Sequence, residues 1–383
     1  MALEKLNNKT GFVNKSQRYF ALDVFRGMTI ALMILVNTPG SWAYVYAPLR
    51  HAKWHGCTLT DLVFPFFLFI VGASMRFSFA KFDFKPSREI YSKIFWRAVT
   101  IFIFGLLLNA FPFIRQDWNW DNFRVMGVLQ RIGLAYGISA VLVIRFSFTN
   151  LWKIMPAILI AYWLLMWGFG GPDPYSLEVN LIRKIDMAIL GAGHLYRGTG
   201  IAFDPEGLFS TIPAVMTVIL GYMAGVMIQT DDGQRKDLVM KILLFGIMLI
   251  GFGLLWSIFM PINKQLWTSS YVLYTGGIAT MILAMLIWFI DIKGYKTVFH
   301  PFIIYGTNSL FVFVGSGLWA KTILKVEFLL NGESVSGYSY LFKTIFLPLA
   351  GDLNGSLLFA ITHVVMWWVI LYWLYRKNIF IKI

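Results

Sequence analysis

Charge is scarce in this sequence. Asp, Glu, Lys and Arg make up 14% of its 383 residues, where a soluble domain carries about a quarter. Hydrophobic residues reach 58%, so there is too little polar surface for a water-facing globule of this length. Cysteine is almost missing. Cys57 stands alone, which excludes an internal disulfide framework and a multi-cysteine metal site. The Walker phosphate loop, the HExxH zinc pair and the GxSxG nucleophile elbow are all absent. No cleavable signal peptide is recognisable either. Positions 1–18 are polar and basic, and the first apolar run follows at once, so it is expected to act as a signal anchor.

What the chain has instead is a series of apolar runs edged by aromatic residues, which form 17% of the sequence. An amphipathic ring suits the headgroup region, where one end is wet. A span needs about 20 mainly apolar residues. The runs predict helices near 22–40, 60–80, 92–111, 126–146, 152–169, 208–228, 240–259, 268–290, 300–323 and 356–376. The expected fold is therefore all-α, a polytopic membrane protein of about ten transmembrane helices forming one domain over 1–383. The net charge of +14 does not indicate nucleic acid, because most of the excess sits in short loops between apolar runs. Such loops encode topology. Lys5, Lys9, Lys15 and Arg18, then Lys81, Lys85 and Arg88, Arg235 and Lys236, Lys293 and Lys296, and finally Arg376, Lys377 and Lys382 are dense on one side. Arg50, Lys53, Arg115, Arg124 and others are sparse along the longer loops opposite. Both termini are thus expected in the cytoplasm, with 1–20 a cytoplasmic segment and 170–207 and 324–355 long outer loops. The first of these loops has an apolar middle near 181–190 that suits an interfacial helix. Pairs at Gly133/Gly137 and Gly221/Gly225 have the spacing that lets helices approach closely.

Chemistry concentrates in the first outer loop, Arg50-His51-Ala52-Lys53-Trp54-His55-Gly56-Cys57-Thr58-Leu59-Thr60-Asp61. Two of the five histidines lie here, before a carboxylate at a helix start. Histidine moves protons near neutral pH, and Asp61 could orient an imidazole or an incoming amine. From spacing alone the plainer reading takes precedence: Thr60 or Asp61 caps the helix, and the histidines are wet loop residues. Two histidines and one acid make a poor metal site. Asn37, just before Pro39-Gly40, reads as a cap or as a group that holds a carbonyl oxygen. Arg97, Asn109, Gln130, Arg131 and Asn308 interrupt apolar runs, and polar groups at membrane depth are functional candidates. Arg131 falls in the outer part of its helix, better placed to pair with Asp61 than to meet a cytoplasmic ligand. Arg76 and Arg97 lie nearer the inner face, where they could meet an anion or snorkel to lipid phosphate.

The run from His51 to Pro65 resembles the signature of the heparan-α-glucosaminide N-acetyltransferase family, whose bacterial members are also described as N-acetylglucosamine-related transporters. Further stretches match in order: Leu22-Asp23-Val24-Phe25-Arg26-Gly27, Gly127-Val128-Leu129-Gln130-Arg131-Ile132-Gly133 and Phe203-Asp204-Pro205-Glu206-Gly207. After them come Pro261-Ile262-Asn263-Lys264-Gln265-Leu266-Trp267-Thr268-Ser269-Ser270-Tyr271 and Tyr375-Arg376-Lys377-Asn378-Ile379-Phe380. The resemblance implies an acyltransferase that carries acetyl from cytosolic acetyl-CoA, its co-substrate, to a glucosamine amine across the bilayer. It also implies a multi-pass protein of the bacterial inner membrane, with a homodimer left open. His51 falls at the family's essential histidine and Asn37 at an asparagine of its site. His51 would serve as general base or as a transient acetyl carrier, beside Asp61. Arg76, Arg97, Gln130, Arg131 and Ser270 are the expected acetyl-CoA contacts. Trp54, Asp204, Glu206, Asn263 and Trp267 are the expected amino-sugar contacts, the carboxylates for an ammonium group and the tryptophans for a sugar face or an interfacial belt. Relative to the lysosomal member, the chain is expected to do without a long luminal N-terminal region, and His55 replaces an asparagine. The alternative is a sugar transporter without acyl transfer.

Overall fold

The computed structural model describes residues 20–113, 118–230 and 235–381; Lys5, Lys9, Lys15, Arg18, Arg115 and Lys382 lie outside the described residues. The helices follow the apolar runs: α1 (Phe20–Asn37), α2 (Leu59–Phe79), α3 (Arg88–Ala110), α4 (Val128–Arg145) and α5 (Phe148–Phe169). After a short α6 (Leu181–Leu190) come α7 (Thr211–Gln229), α8 (Arg235–Trp256), α9 (Ser269–Leu286), α10 (His300–Thr307) and α11 (Ser309–Lys325). The chain ends with a hairpin of β1 (Glu327–Leu330) and β2 (Glu333–Ser336), α12 (Gly337–Leu341) and α13 (Leu347–Arg376). Among the described residues nine helices are long and apolar enough to cross a membrane, and α10–α11 adds a tenth if counted as one bent span. The all-α polytopic fold is therefore as expected.

Local chemistry sets the helix ends. Ser87 accepts from Ile90 N at the start of α3, and Asn180 accepts from Arg183 N at the start of α6. Both satisfy a backbone donor that the first turn leaves open. α6 occupies the apolar segment singled out at 181–190.

α7 is the centre of the bundle. Its span is 89% buried, against 22% for α3, which lies at the periphery. Close packing there depends on missing side chains. Gly225 lies against Ala73 of α2, and Gly133 against Ala98 of α3. Both glycine pairs thus sit at helix crossings, where small residues let backbones meet without a gain from water exclusion.

Two segments differ from expectation. The run at 300–323 is not one straight helix but bends by 79° between α10 and α11. Asn308 sits at the break, where its amide donates to Ile379 O (3.1 Å) and accepts from Ile381 N (2.7 Å). A polar residue inside an apolar run here marks a joint that holds the C-terminal strand of chain. The stretch 324–355 is mostly structured rather than loop. Its hairpin turns on Asn331 and Gly332, both with positive φ, the pair that a tight two-residue turn favours. Helical structure resumes at Gly337, well before the expected 356.

Candidate functional site

α2 begins at Leu59, and Asp61 lies in its first turn. Thr58 N donates to Asp61 Oδ2 at 3.1 Å, so the carboxylate caps the helix. The same oxygen accepts from Ala52 N at 2.9 Å, which folds the preceding loop back over the helix end. Thr58 Oγ1 donates to Arg50 O (2.6 Å) and Thr60 Oγ1 to Leu49 O (2.7 Å), fixing the two residues that precede His51. His51 Nδ1 then lies 2.6 Å from Asp61 Oδ1. The helix cap and the histidine partner, alternatives on sequence grounds, are one carboxylate using its two oxygens.

A carboxylate can only accept, so the proton in this short contact belongs to His51 Nδ1. In the neutral imidazole, Nε2 then carries the lone pair. The His51 side chain is 46% exposed, while Asp61 is 2% exposed. The arrangement is a buried carboxylate orienting a reachable imidazole, the pattern of a general base held in one tautomer.

A third group joins them. Lys264 Nζ is 3.5 Å from Asp61 Oδ1 and 3.2 Å from His51 Nδ1. Lys264 arrives on the segment 261–268, which Asn263 fastens to the histidine loop. The Asn263 amide donates to Trp54 O (2.9 Å) and meets His55 Nδ1 at 3.3 Å, and Gly56 N donates to Ile262 O (2.7 Å). From α9, Tyr271 OH donates to Asp61 O at 2.5 Å. Burial and the neighbouring Asp61 push the Cys57 thiol up to about 12, so it stays protonated. Burial lowers His55, against a smaller opposing effect of Asp173.

The other expected residues are distributed as follows. Asn37 closes α1 with an exposed side chain. Trp54 donates to Tyr175 O (2.7 Å) and packs edge-on to Phe203. Trp267 is 1% exposed, between Phe64 and Tyr271, so its ring is core rather than belt and offers no open face to a sugar. Asp204 and Glu206 are already engaged. Arg124 grips Asp204 through two bonds of 2.9 and 2.7 Å and reaches Glu206 at 2.7 Å. Burial alone would lower the Arg124 guanidinium, but these carboxylates together outweigh it and raise it above its usual value. Neither is a free partner for an ammonium group.

The residues grouped as acetyl-CoA contacts fall into two sets. Gln130, Arg131 and Ser270 are buried at the same end of the bundle as Asp61. Gln130 donates to Val125 O and Ser270 to Met260 O. Arg131 does not pair with Asp61. It donates to Gly207 O and Ser210 Oγ and lies over Trp267. Arg76 is at the opposite end, and Arg97 lies near the middle of α3. Arg76 is 15 residues along α2 from Asp61, roughly 22 Å of helix rise. It donates to Tyr222 OH (3.3 Å) and covers Phe84, and Arg97 covers Tyr136. The Arg76 Nε is buried with no hydrogen-bond partner.

An apolar cavity of about 370 Å³ runs beside α1, with Phe25, Met28, Leu32 and Leu35 on one wall and Leu59 and Phe302 on others. From Phe25 to Leu35 that wall follows about 15 Å of helix. No group of three or more His, Cys, Asp or Glu that could hold a metal occurs among the described residues.

Lys264 and Arg124 are the side chains of this region least visible in the sequence. Lys264 lies in a quoted motif but 213 positions from His51, and Arg124 registered only as a loop charge.

The family described as heparan-alpha-glucosaminide N-acetyltransferase, catalytic, matches residues 18–253, which include α1 to α7 and the His51–Asp61 pair. Two similar proteins carry the name heparan-alpha-glucosaminide N-acetyltransferase. The Homo sapiens protein is 28% identical over 419 residues, covering 96% of this chain and 60% of that protein. The Mus musculus protein is 28% identical over 426 residues, covering 97% and 61%. The chain thus spans about three fifths of the length of these relatives. With the family match extending over more than half its residues, the chain belongs to the heparan-alpha-glucosaminide N-acetyltransferase catalytic family.

Proposed function

We propose that this protein is a transmembrane acetyltransferase. It moves an acetyl group from cytoplasmic acetyl-CoA to the amine of glucosamine or a related amino sugar on the far side of the membrane. The observation that carries the reading is the His51–Asp61 contact of 2.6 Å, with His51 exposed and Nε2 free. Membership of an N-acetyltransferase family supports it.

The chemistry needs an amine with a lone pair. His51 Nε2 accepts a proton from the amine nitrogen as that nitrogen bonds to the acetyl carbon, the C–S bond breaks, and the departing thiolate takes the proton back from Nε2 to leave as the CoA thiol. General-base catalysis of this kind is worth about 10²–10⁴-fold. Asp61 holds the tautomer that leaves Nε2 able to accept. Asn37 serves as the carbonyl polariser, a role worth about 10²–10³-fold. The unpartnered Arg76 Nε fits a phosphate oxygen at the end of the bundle remote from His51. The apolar cavity beside α1 suits the less polar arm of the donor. The density of basic residues supports an orientation with both termini in the cytoplasm and His51 outside, and the membrane proposed is a bacterial inner membrane.

Purified protein in detergent is expected to release CoA from acetyl-CoA when glucosamine is added, and His51→Ala is expected to abolish the release. Release by the variant at the wild-type rate would refute the role of His51. Accumulation of N-acetylglucosamine in proteoliposomes without acetyl-CoA would favour transport instead. An acetylated His51 peptide, trapped before sugar is added, would replace direct transfer by a histidine carrier.

A further inference from the structure

Lys264 has no part in the chemistry described so far, yet it stands closer to His51 than any other cation among the contacts of that residue. Its Nζ is 3.2 Å from Nδ1 and 3.5 Å from Asp61 Oδ1. Nδ1 carries the proton given to Asp61, so it has no lone pair for the ammonium. The imidazole N–H and the ammonium therefore converge on one carboxylate oxygen. Lys264 is only 19% exposed, so water does little to screen it.

We propose that Lys264 is a positioning residue for His51: it fixes Asp61 Oδ1 from a second direction and opposes a second positive charge on the imidazole, keeping Nε2 able to take a proton. The part of this that concerns catalysis rests on the acetyl-transfer reading; the electrostatic part does not.

Among the described residues, Lys264 is the one cation in contact with both His51 and Asp61. From α2 comes Asp61, which by itself would favour a charged imidazole. Cys57 stays protonated. Tyr271 of α9 spends its hydroxyl on Asp61 O. Arg50 turns away to Val45 O at 2.7 Å. His55 faces Asn263. Asp61 and Lys264 thus place charges of opposite sign beside one histidine. The backbone supports the approach. Asn263, one residue before Lys264, is fully buried and bonded to both Trp54 O and Leu266 N. The lysine stem therefore starts from a fixed point.

Two substitutions separate charge from shape. Lys264→Met keeps the length and removes the charge, and Lys264→Arg keeps the charge. The first measurement is the pH dependence of CoA release. The acid limb is expected to move up by about one pH unit in Lys264→Met, the scale of a close charge, and to return toward wild type in Lys264→Arg. The second needs no acetyl-CoA. The rate at which diethyl pyrocarbonate modifies His51, followed by peptide mass at a series of pH values, reports the unprotonated imidazole directly. It is expected to show the same upward shift and the same rescue. A modification profile that stays at the wild-type position in Lys264→Met would overturn the proposal. If that profile shifts while the wild-type protein releases no CoA from any amino sugar, the role of Lys264 stands and the acetyl-transfer reading falls.

Discussion

Gly221 of α7 faces the backbone carbonyl of Phe69 in α2, and a Cβ at that glycine would stand 1.8 Å from the oxygen. Gly72 of α2 makes the reciprocal approach to Val218 O of α7, also at 1.8 Å. Neither obstacle is a flexible side chain, so a larger residue must push the helices apart. Gly221→Val is expected to destabilise the protein by about 1–3 kcal/mol or more and to lower its thermal midpoint in detergent. Gly168→Ala, where a Cβ meets nothing within 4 Å, is the matched control and is expected to be neutral or slightly stabilising. Equal midpoints for the two variants would show that the α2–α7 contact is not as close as described.

That crossing was readable in part. The four-residue spacing of Gly221 and Gly225 marks a contact face, because small side chains are what backbone approach requires. The partner of the face is not encoded locally, since Phe69 and Ala73 look like any apolar span. The same division holds at the site. His51 and Asp61 were legible as a motif because ten residues of chain join them. Their bond to one another follows from the capping turn at Thr58, of which the sequence marked Asp61 but pointed to Thr60 rather than Thr58 as the other candidate. Lys264 and Tyr271 reach the pair through tertiary packing alone. Asp204 and Glu206 looked free in sequence, and only the fold brings Arg124 against them. Broken helices were the remaining gap. Hydropathy sees the apolar run around Asn308 but not the C-terminal carbonyl and amide that the asparagine has to satisfy.

Asp61 has two duties, and they can be separated. Asp61→Asn keeps an acceptor oxygen for the helix cap but gives His51 Nδ1 a weaker and neutral partner. The expected result is a fall in the rate of CoA release on the order of 10²–10⁴-fold, with little change in melting. Asp61→Ala also removes the cap and is expected to cost about 0.5–2 kcal/mol of stability. Rates near wild type in the asparagine variant would show that the carboxylate is a cap and nothing more.

Asp186 gives a prediction about pH that does not depend on catalysis. It lies in α6, outside the spanning helices, with no exposed surface, and Gly207 leaves the space its carboxylate occupies. Phe209 N donates to Oδ1 at 3.1 Å, while Oδ2 has no partner. Burial pushes the carboxyl up from 3.8 to about 6, opposed by the Phe209 amide and by Arg131. The folded protein then holds this proton at pH values where the unfolded chain has lost it. Between about pH 4 and 6 the native state binds more protons than the unfolded state, so the contribution of Asp186 to stability falls as pH rises. A difference of about two units corresponds to roughly 3 kcal/mol. Asp186→Asn keeps the acceptor for Phe209 and cannot ionise. The stability of the wild type relative to this variant is expected to decline through pH 4–6 and to level off above about pH 7, measured by thermal or denaturant unfolding in detergent. Parallel stability curves across that range would mean that Asp186 does not titrate there in the folded protein.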